Sequence, residues 1–170
     1  MHINIEIKAR CHHPEKIKAL LAAKNADFKG VDHQIDTYYE IPNGRLKLRA
    51  GNIENTLIHY ERSDQAGPKQ SNVALYKNEA GSTLGDVLKK ALNILVVVDK
   101  KRGIYFIDNV KFHVDEVQGL GSFVEIEAID VDGSLGVEYL QMQCKRYIDY
   151  LGIENQDLIE QSYSDLLLKK

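Results

Sequence analysis

Three cations share one face of a short alternating segment, Arg45-Leu46-Lys47-Leu48-Arg49. Because successive side chains of a β-strand point to opposite faces, the segment predicts a strand with one cationic face and one leucine face. Lys100 and Arg102 share a second cationic face. Guanidinium and ammonium groups pair with phosphate oxygens, so these strands are candidates for binding a phosphorylated ligand.

Carboxylates alternate in the same way elsewhere in the chain. The residues that share a face are Glu6 with Lys8, His113 with Asp115, and Glu125 with Glu127. Paired carboxylates are ligands for Mg²⁺ or Mn²⁺, and such an ion bridges phosphate groups. Cations arrayed opposite carboxylates therefore indicate a site for a polyphosphate together with a metal ion.

Two arrangements of these strands are compatible with the pattern. Charges prefer water, so each charged face could be the solvated outer face of an ordinary sheet. Alternatively, the strands close into a barrel with a polar lumen, and their apolar faces pack outward under helices. The amphipathic helices of the chain favour the barrel, because they need apolar sheet surface to pack on.

The remaining pattern predicts an α+β protein of seven or eight antiparallel strands with helices before, between and after them. The predicted helices cover residues 14–25, 83–92, 134–151 and 155–168. We expect the last of them to cover the barrel. The predicted strands cover residues 2–10, 28–41, 45–49, 56–62, 73–77, 94–101, 103–117 and 122–131. Residues 63–69 are predicted to form a polar loop.

Length and composition exclude several classes of protein. The 170 residues fit one domain, 1–170, and the net charge of −3 does not favour nucleic acid or a membrane surface. Cys11 and Cys144 do not make a disulfide framework. Met1 leads directly into a strand pattern, and no apolar run approaches the ~20 residues of a membrane span, so we expect a cytoplasmic protein.

Six segments in order resemble the CYTH superfamily, whose members include class IV adenylate cyclases and thiamine triphosphatases. The first segment, Asn4-Ile5-Glu6-Ile7-Lys8, resembles the signature E-x-E-x-K. The others are Asp36-Thr37-Tyr38-Tyr39 with 44–49, then 60–69, Lys100-Lys101-Arg102, 113–127 and 162–167. The segment 60–69 is similar to the bacterial class IV cyclases.

The resemblance implies a triphosphate tunnel, which is an eight-stranded antiparallel barrel with a charged lumen and helices outside. It implies Mg²⁺ or Mn²⁺ as cofactor, a small triphosphate as substrate, and a monomer or homodimer. The residues implied to bind the triphosphate are Lys8, Lys47, Arg49, Arg62, Lys100 and Arg102, of which Lys8, Arg62 and Arg102 are the catalytic candidates. The residues implied to hold metal are Glu6, Asp115, Glu125 and Glu127. Arg45 shares a face with this set but lies outside the family pattern.

Asn4 departs from the signature, because it stands where the family has its first Glu. An amide oxygen can ligate a cation but brings no charge, so we expect weaker binding of any ion that this Glu serves.

Three functions are compatible with these residues. A class IV adenylate cyclase converts ATP to cyclic AMP and pyrophosphate. A triphosphatase hydrolyses inorganic triphosphate, thiamine triphosphate or a nucleotide. A binding module holds a polyphosphate or nucleotide without chemistry, and Asn4 is its only support. The sequence does not identify a general base.

Overall fold

The computed structural model describes residues 3–62 and 69–170, and of residues 62 and 69–72 it describes the backbone alone. These residues form eight strands and four α-helices. In chain order the elements are β1 (Ile3–Arg10), α1 (Pro14–Ala23), β2 (Asp27–Tyr39), β3 (Arg45–Ala50), β4 (Thr56–Arg62), β5 (Lys69–Lys77), α2 (Leu84–Ala91), β6 (Ile94–Ile107), β7 (Val110–Val117), β8 (Gly121–Asp130), α3 (Val137–Leu151) and α4 (Tyr163–Leu168). The predicted loop 63–69 lies almost wholly outside the described residues.

The strands form one closed antiparallel barrel in the order β1-β5-β4-β3-β2-β6-β7-β8. Strand β1 closes it, because β1 pairs with β5 on one side and with β8 on the other. The expected eight-stranded barrel with outer helices is thereby confirmed. The register places Glu6 opposite Glu127 and Lys8 opposite Glu125.

The barrel has its apolar packing outside and its charges inside. Ile5, Ile7 and Ala9 on β1 are buried in a cluster that also contains Leu21 of α1 and Leu140 of α3. This cluster buries apolar surface between the strands and the helices, which stabilises both. The alternating residues of the same strands point inward, so the polar-lumen interpretation is confirmed, and the solvated outer sheet is wrong for these strands.

The C-terminal segment closes one end of the barrel. Tyr163 and Ile159 pack in a second buried cluster with Tyr38, Val98 and Phe123 from the strands. A capping box at Ser162 begins α4, in which the Ser162 side chain accepts from the Asp165 backbone N–H and the Asp165 side chain accepts from the backbone N–H of Ser162. This placement confirms the expectation that the C-terminal helix covers the barrel.

Two predicted element boundaries were wrong. The predicted break between 101 and 103 does not exist, because β6 runs through Gly103 to Ile107. The chain turns instead at Asp108, whose φ of 51° lies in the left-handed region that Asp tolerates. The predicted helix 155–168 is a 3₁₀ turn, Asn155–Asp157, followed by an extended segment and then the short α4.

Both cysteines are buried and free. Among the described residues, the helices are all too short or too polar to cross a membrane.

Candidate functional site

The inner faces of the strands surround a cavity of about 570 Å³. Eight of the predicted site residues line it, namely Glu6, Lys8, Lys47, Arg49, Lys100, Arg102, Glu125 and Glu127. Asp115 lies directly behind this lining, paired with Arg102. The side chain of Arg62, the tenth predicted residue, lies outside the described part of the chain.

Asp36 on β2 gathers the cations of one side of the lumen. Its two carboxylate oxygens accept a bidentate pair from Arg49, with Nε–Oδ1 and Nη2–Oδ2 distances of 2.9 Å each. The Lys100 Nζ lies 2.7 Å and the Lys47 Nζ 3.3 Å from Asp36 Oδ2. Burial alone would raise the pKa of Asp36, but Arg49, Lys47 and Lys100 hold it well below its usual range. The carboxylate therefore keeps three cations fixed and facing the cavity.

Lys100 is the least accessible of these cations, with 2% of its surface exposed. Burial is the main cause that lowers its pKa to about 7. The Asp36 carboxylate raises this pKa, whereas nearby Arg49, Arg102 and Lys47 lower it further. Without a ligand, Lys100 therefore loses its proton at a much lower pH than an ordinary lysine. Any polyanion that enters the lumen would favour its charged form.

Arg102 on β6 is held by two carboxylates on the facing side. It donates to Asp115 through Nε at 2.7 Å and through Nη2 at 2.5 Å, and Nη2 also lies 3.0 Å from Glu125 Oε2. Tyr163 donates to Asp115 at 2.7 Å. Burial would raise the pKa of Asp115, but Arg102 keeps it below its usual range. Asp115 therefore acts here mainly as a support for Arg102.

Glu125 joins Arg102 to two further lumen residues. Lys8 Nζ lies 3.2 Å from Glu125 Oε1, and the same Nζ lies 4.0 Å from the centre of the Tyr163 ring. His113 Nδ1 lies 2.9 Å from Glu125 Oε2, and burial is the main cause that lowers the pKa of His113 to about 4. A neutral His113 next to a carboxylate donates from Nδ1, which fixes its tautomer.

The carboxylates Glu6 and Glu127 lie opposite each other on the neighbouring strands β1 and β8 and line the same cavity. Burial raises the pKa of Glu127 to about 7, and Glu6 and Glu125 add to the rise while Lys111 opposes it. Asn4 donates from Nδ2 to Glu127 at 2.5 Å. Its Oδ1 is buried, and no residue of the described chain donates to it.

Glu6, Glu127 and Asn4 carry the oxygen donors that a divalent cation shared with a phosphate ligand would take. Two carboxylates and one amide oxygen are hard ligands, and Mg²⁺ is commonly held by one or two carboxylates plus substrate oxygens. Within residues 3–62 and 69–170, no three His, Cys, Asp or Glu side chains form a metal site by themselves. An ion here would therefore depend on the ligand and on the Asn4 oxygen to complete its coordination.

The sequence did not identify several lumen residues. Asp36 lies in a family segment and on the inner face of β2, so its alternation could have indicated it. Glu54 gave no such signal, because it lies in the irregular turn between β3 and β4. It accepts from Arg49 Nη1 at 3.0 Å and pairs with Lys111, another residue that was missed.

Buried Asp32 explains how that turn presents Glu54 to the lumen. Its carboxylate accepts from the backbone N–H groups of Ile53 and Glu54 at 2.9 Å each, and from Gln34 Nε2 at 2.8 Å. Arg45, the first residue of β3, also supports the structure. Its Nη1 donates to Ser162 at 2.7 Å and to Asp165 at 2.8 Å. Arg45 thus holds α4 in place.

The architecture is similar to that of solved proteins. The protein PH1012 from Pyrococcus horikoshii is 25% identical, with 96% of this chain and 98% of that chain covered and a TM-score of 0.83. A conserved hypothetical protein from Pyrococcus furiosus is 24% identical, with 96% and 99% covered and a TM-score of 0.81. HpAC1 from Hippeastrum, which carries an adenylyl cyclase name and is described as having a dominant triphosphatase activity, is 16% identical, with 97% and 94% covered and a TM-score of 0.62.

The sequence has no significant match among curated proteins. It does match the CYTH domain over residues 2–163, which is nearly the whole chain. That match agrees with the barrel and with the charged lumen, and this chain belongs to the CYTH domain family.

Proposed function

We propose that this protein is a metal-dependent enzyme that acts on a triphosphate-containing substrate bound in the barrel lumen, by chemistry of the class IV adenylate cyclase type. The observation that carries the proposal is the convergence of Lys8, Lys47, Arg49, Lys100 and Arg102 on one cavity. Cations held in position around a transferring phosphoryl group stabilise the charge that develops on it in the transition state.

In this proposal the cations contact the triphosphate from two sides. Arg49 and Lys100, held by Asp36, and Lys47 beside them face one side of the phosphate chain. Arg102 and Lys8, linked through Glu125, face the other side. Lys8, Arg102 and Arg62 are the proposed catalytic residues, and Arg62 rests on the family resemblance alone.

Glu6 and Glu127, with the Asn4 amide oxygen, are the proposed ligands for Mg²⁺ or Mn²⁺. Such an ion would offset the charge of the phosphate oxygens of the substrate. Asp115 and Glu125 were predicted as metal ligands too, and their contacts to Arg102 favour a supporting role. Glu6 and Glu127 are therefore the carboxylates that would hold the ion.

Two reactions use the same cations. In the cyclase reaction the ribose 3′ oxygen attacks the α-phosphorus of ATP and pyrophosphate leaves. In the triphosphatase reaction water attacks the γ-phosphorus, the bond from that phosphorus to the β–γ bridging oxygen breaks, and the products are orthophosphate and the departing diphosphate. The second reaction is retained because HpAC1, which shares the fold, is described as having a dominant triphosphatase activity.

Incubation of the purified protein with ATP, inorganic triphosphate and thiamine triphosphate, each with Mg²⁺ or Mn²⁺, tests the proposal. Cyclic AMP with pyrophosphate identifies a cyclase, and orthophosphate identifies a triphosphatase. Saturable binding with neither product identifies a binding module and contradicts the enzyme. Cytoplasmic location, the single domain 1–170, the absence of nucleic-acid partners and the monomer or homodimer state stay predictions.

Adjacent lysines on β6 supply a matched pair of variants for this assay. Lys100 lines the lumen and is buried, whereas Lys101 is exposed on the opposite face of the same strand. Lys100→Met should therefore lower triphosphate turnover or binding by at least about tenfold, while Lys101→Met should leave both unchanged. Equal effects of the two substitutions would contradict a site in the lumen.

A further inference from the structure

One carboxylate oxygen in the lumen receives three cationic side chains. Asp36 Oδ2 lies 2.7 Å from Lys100 Nζ and 3.3 Å from Lys47 Nζ. The same oxygen accepts from Arg49 Nη2 at 2.9 Å. A single carboxylate carries one negative charge, which does not balance three positive charges so close to one another. The crowding therefore favours the loss of a proton from one of the three cations.

Lys100 is the cation that burial and crowding affect most. A guanidinium stays charged in proteins, which excludes Arg49. Of the two lysines, Lys100 has 1% of its side chain exposed and Lys47 has 14%. Burial is the main cause that lowers the pKa of Lys100 to about 7, and the positive charges around it, Arg102 included, lower it further against the opposite effect of Asp36.

An uncharged lysine amine is a nucleophile. Its lone pair attacks electrophilic carbon, and enzymes activate lysine in this way by burial or by a neighbouring cation. Lys100 lines the lumen cavity, whereas Lys101 is exposed on the opposite face of β6. Water stabilises the ammonium form of an exposed side chain. Of these two neighbours, Lys100 is therefore the reactive one.

The surroundings of Lys100 select the kind of electrophile that reaches it. The same cavity is lined by Lys8, Lys47, Arg49 and Arg102. These cations attract phosphate oxygens. Because so little of the Lys100 side chain is exposed, a reagent must enter the lumen to contact Nζ. The reagent that meets both conditions is small and carries an electrophilic carbon bonded to a phosphate group.

We propose that Lys100 is a site of acylation by small acyl phosphates, the mixed anhydrides of a carboxylic acid and phosphoric acid. The Lys100 nitrogen attacks the carbonyl carbon and forms an amide bond. The bond from that carbon to the phosphate oxygen breaks, and phosphate leaves with the electron pair. The nitrogen releases one proton to the phosphate or to solvent. The lumen cations hold the phosphate beside the amine and stabilise its charge as it leaves.

Acylation removes one cation from the lumen. An acylated lysine is uncharged, so Lys100 then has no charge to pair with Asp36 or with a phosphate group. Bound triphosphate occupies the same cations and therefore blocks the reaction. The modification goes beyond the proposed function, because it makes the affinity for triphosphate depend on the supply of acyl phosphates.

Acetyl phosphate tests the inference on the folded protein. Mass spectrometry of proteolytic peptides follows acetylation of Lys100 and Lys101 over time at neutral pH. We expect Lys100 to be acetylated at least about tenfold faster than Lys101, and bound inorganic triphosphate to suppress the reaction at Lys100 alone. Equal rates at the two lysines, or a Lys100 rate that bound triphosphate leaves unchanged, would overturn the inference.

A reagent without phosphate tests the part of the lumen cations. The uncharged ester p-nitrophenyl acetate transfers the same acetyl group, but the cations do not attract it. Its preference for Lys100 over Lys101 should be at least about threefold smaller than that of acetyl phosphate. An equal or larger preference would overturn the selection of acyl phosphates.

Lys100→Arg keeps a positive charge and cannot form the amide, and Lys101→Arg is its matched control. Treatment with acetyl phosphate should weaken the binding of inorganic triphosphate at least about fivefold in the unaltered protein and in Lys101→Arg. The same treatment should leave the affinity of Lys100→Arg at its untreated value. An equal loss in all three proteins would place the reactive group elsewhere and overturn the inference.

The peptide measurement on the unaltered protein decides the matter even where Lys100→Arg fails to fold. It also separates this inference from the proposed function. Faster acetylation of Lys100 in a protein that does not bind triphosphate would retain the inference and reject that function. Triphosphate binding together with equal acetylation of Lys100 and Lys101 would retain that function and reject the inference.

Discussion

Lys100 Nζ donates to Asp36 Oδ2 at 2.7 Å between two side chains that are each about 1% exposed. Asp36 also accepts from Arg49, so the carboxylate is shared among cations that crowd one another. Burial is the main cause that leaves the pKa of Lys100 at about 7 despite this ion pair, below the 10.5 of a free lysine, and the neighbouring Arg49, Arg102 and Lys47 lower it further. The cation site is therefore sensitive to pH in the neutral range.

Triphosphate binding should take up protons above neutral pH. At pH 8 Lys100 is mostly neutral in the free protein, and the phosphates raise its pKa, so binding adds a proton. At pH 6 Lys100 is already charged, and its share of the uptake disappears. Calorimetry in buffers of different ionisation enthalpy measures the uptake, and affinity should fall between pH 7 and pH 9.

The matched lysine variants separate Lys100 from other titrating groups. Lys100→Met should remove part of the proton uptake at pH 8, whereas Lys101→Met should retain all of it.

Lys100 should also make the stability of the ligand-free protein depend on pH. In the unfolded chain Lys100 keeps its proton up to about pH 10.5, but in the folded protein it releases the proton near pH 7. Its contribution to stability therefore rises from pH 7 to pH 10.5. An unaltered pH slope of stability in Lys100→Met would contradict this assignment.

Asn4 limits the negative charge at the proposed metal site. Its side chain contacts Glu127, and an added carboxylate there would increase the ligand charge for a divalent ion. We expect Asn4→Glu to lower the Mg²⁺ or Mn²⁺ concentration needed for half-maximal triphosphate binding or turnover by about tenfold. Titration of the metal at fixed triphosphate measures this concentration.

The same substitution should destabilise the protein when metal is absent, because it places a third carboxylate beside Glu6 and Glu127. Thermal unfolding with a chelator and then with excess Mn²⁺ measures this difference. Asn4→Gln is the control, since it keeps the amide without adding charge. Unchanged metal dependence in Asn4→Glu would show that Asn4 is not part of an ion site.

The hydroxyl of Tyr163 connects α4 to the interior of the barrel. It donates to buried Asp115 at 2.7 Å, while Arg102 occupies both oxygens of the same carboxylate. Tyr163→Phe removes one hydrogen bond to a charged group and should lower the free energy of unfolding by about 1–3 kcal/mol. Tyr76→Phe, on the exposed outer face, should change it by less than about 0.5 kcal/mol. Denaturant unfolding compares the two, and equal stabilities would contradict a bond between α4 and Asp115.

Asp32 should be essential to the turn that carries Glu54. It is fully buried, and its two oxygens accept the backbone N–H groups of Ile53 and Glu54. Asp32→Asn presents an NH₂ group to one of these donors and should cost about 2–4 kcal/mol of stability. Asp27→Asn is the control, because Asp27 is exposed and pairs with Lys29. Retained stability in Asp32→Asn would show that other contacts hold the turn.

The sequence by itself determined the barrel and most of the charged residues that line its lumen. Strict alternation assigned Lys47, Arg49, Lys100 and Arg102 to single strand faces, because the side-chain period of a strand is two residues. The ordered family segments then identified the barrel that those faces enclose. Element ends were less certain, as at β6 and β7, because a left-handed turn at Asp108 depends on local backbone geometry that periodicity does not encode.

The tertiary structure alone decided which charges meet. Asp36 and Lys100 are 64 residues apart, and only the pairing of β2 with β6 brings them to one side of the lumen. Glu54 reaches Arg49 and Lys111 from a turn without periodicity, held by a carboxylate on another strand. Ion pairs and the pKa shifts that follow depend on distance and burial, which a strand pattern does not contain. The sequence thus identified most of the charged residues that line the cavity, and the fold determined which of them face it and which support one another.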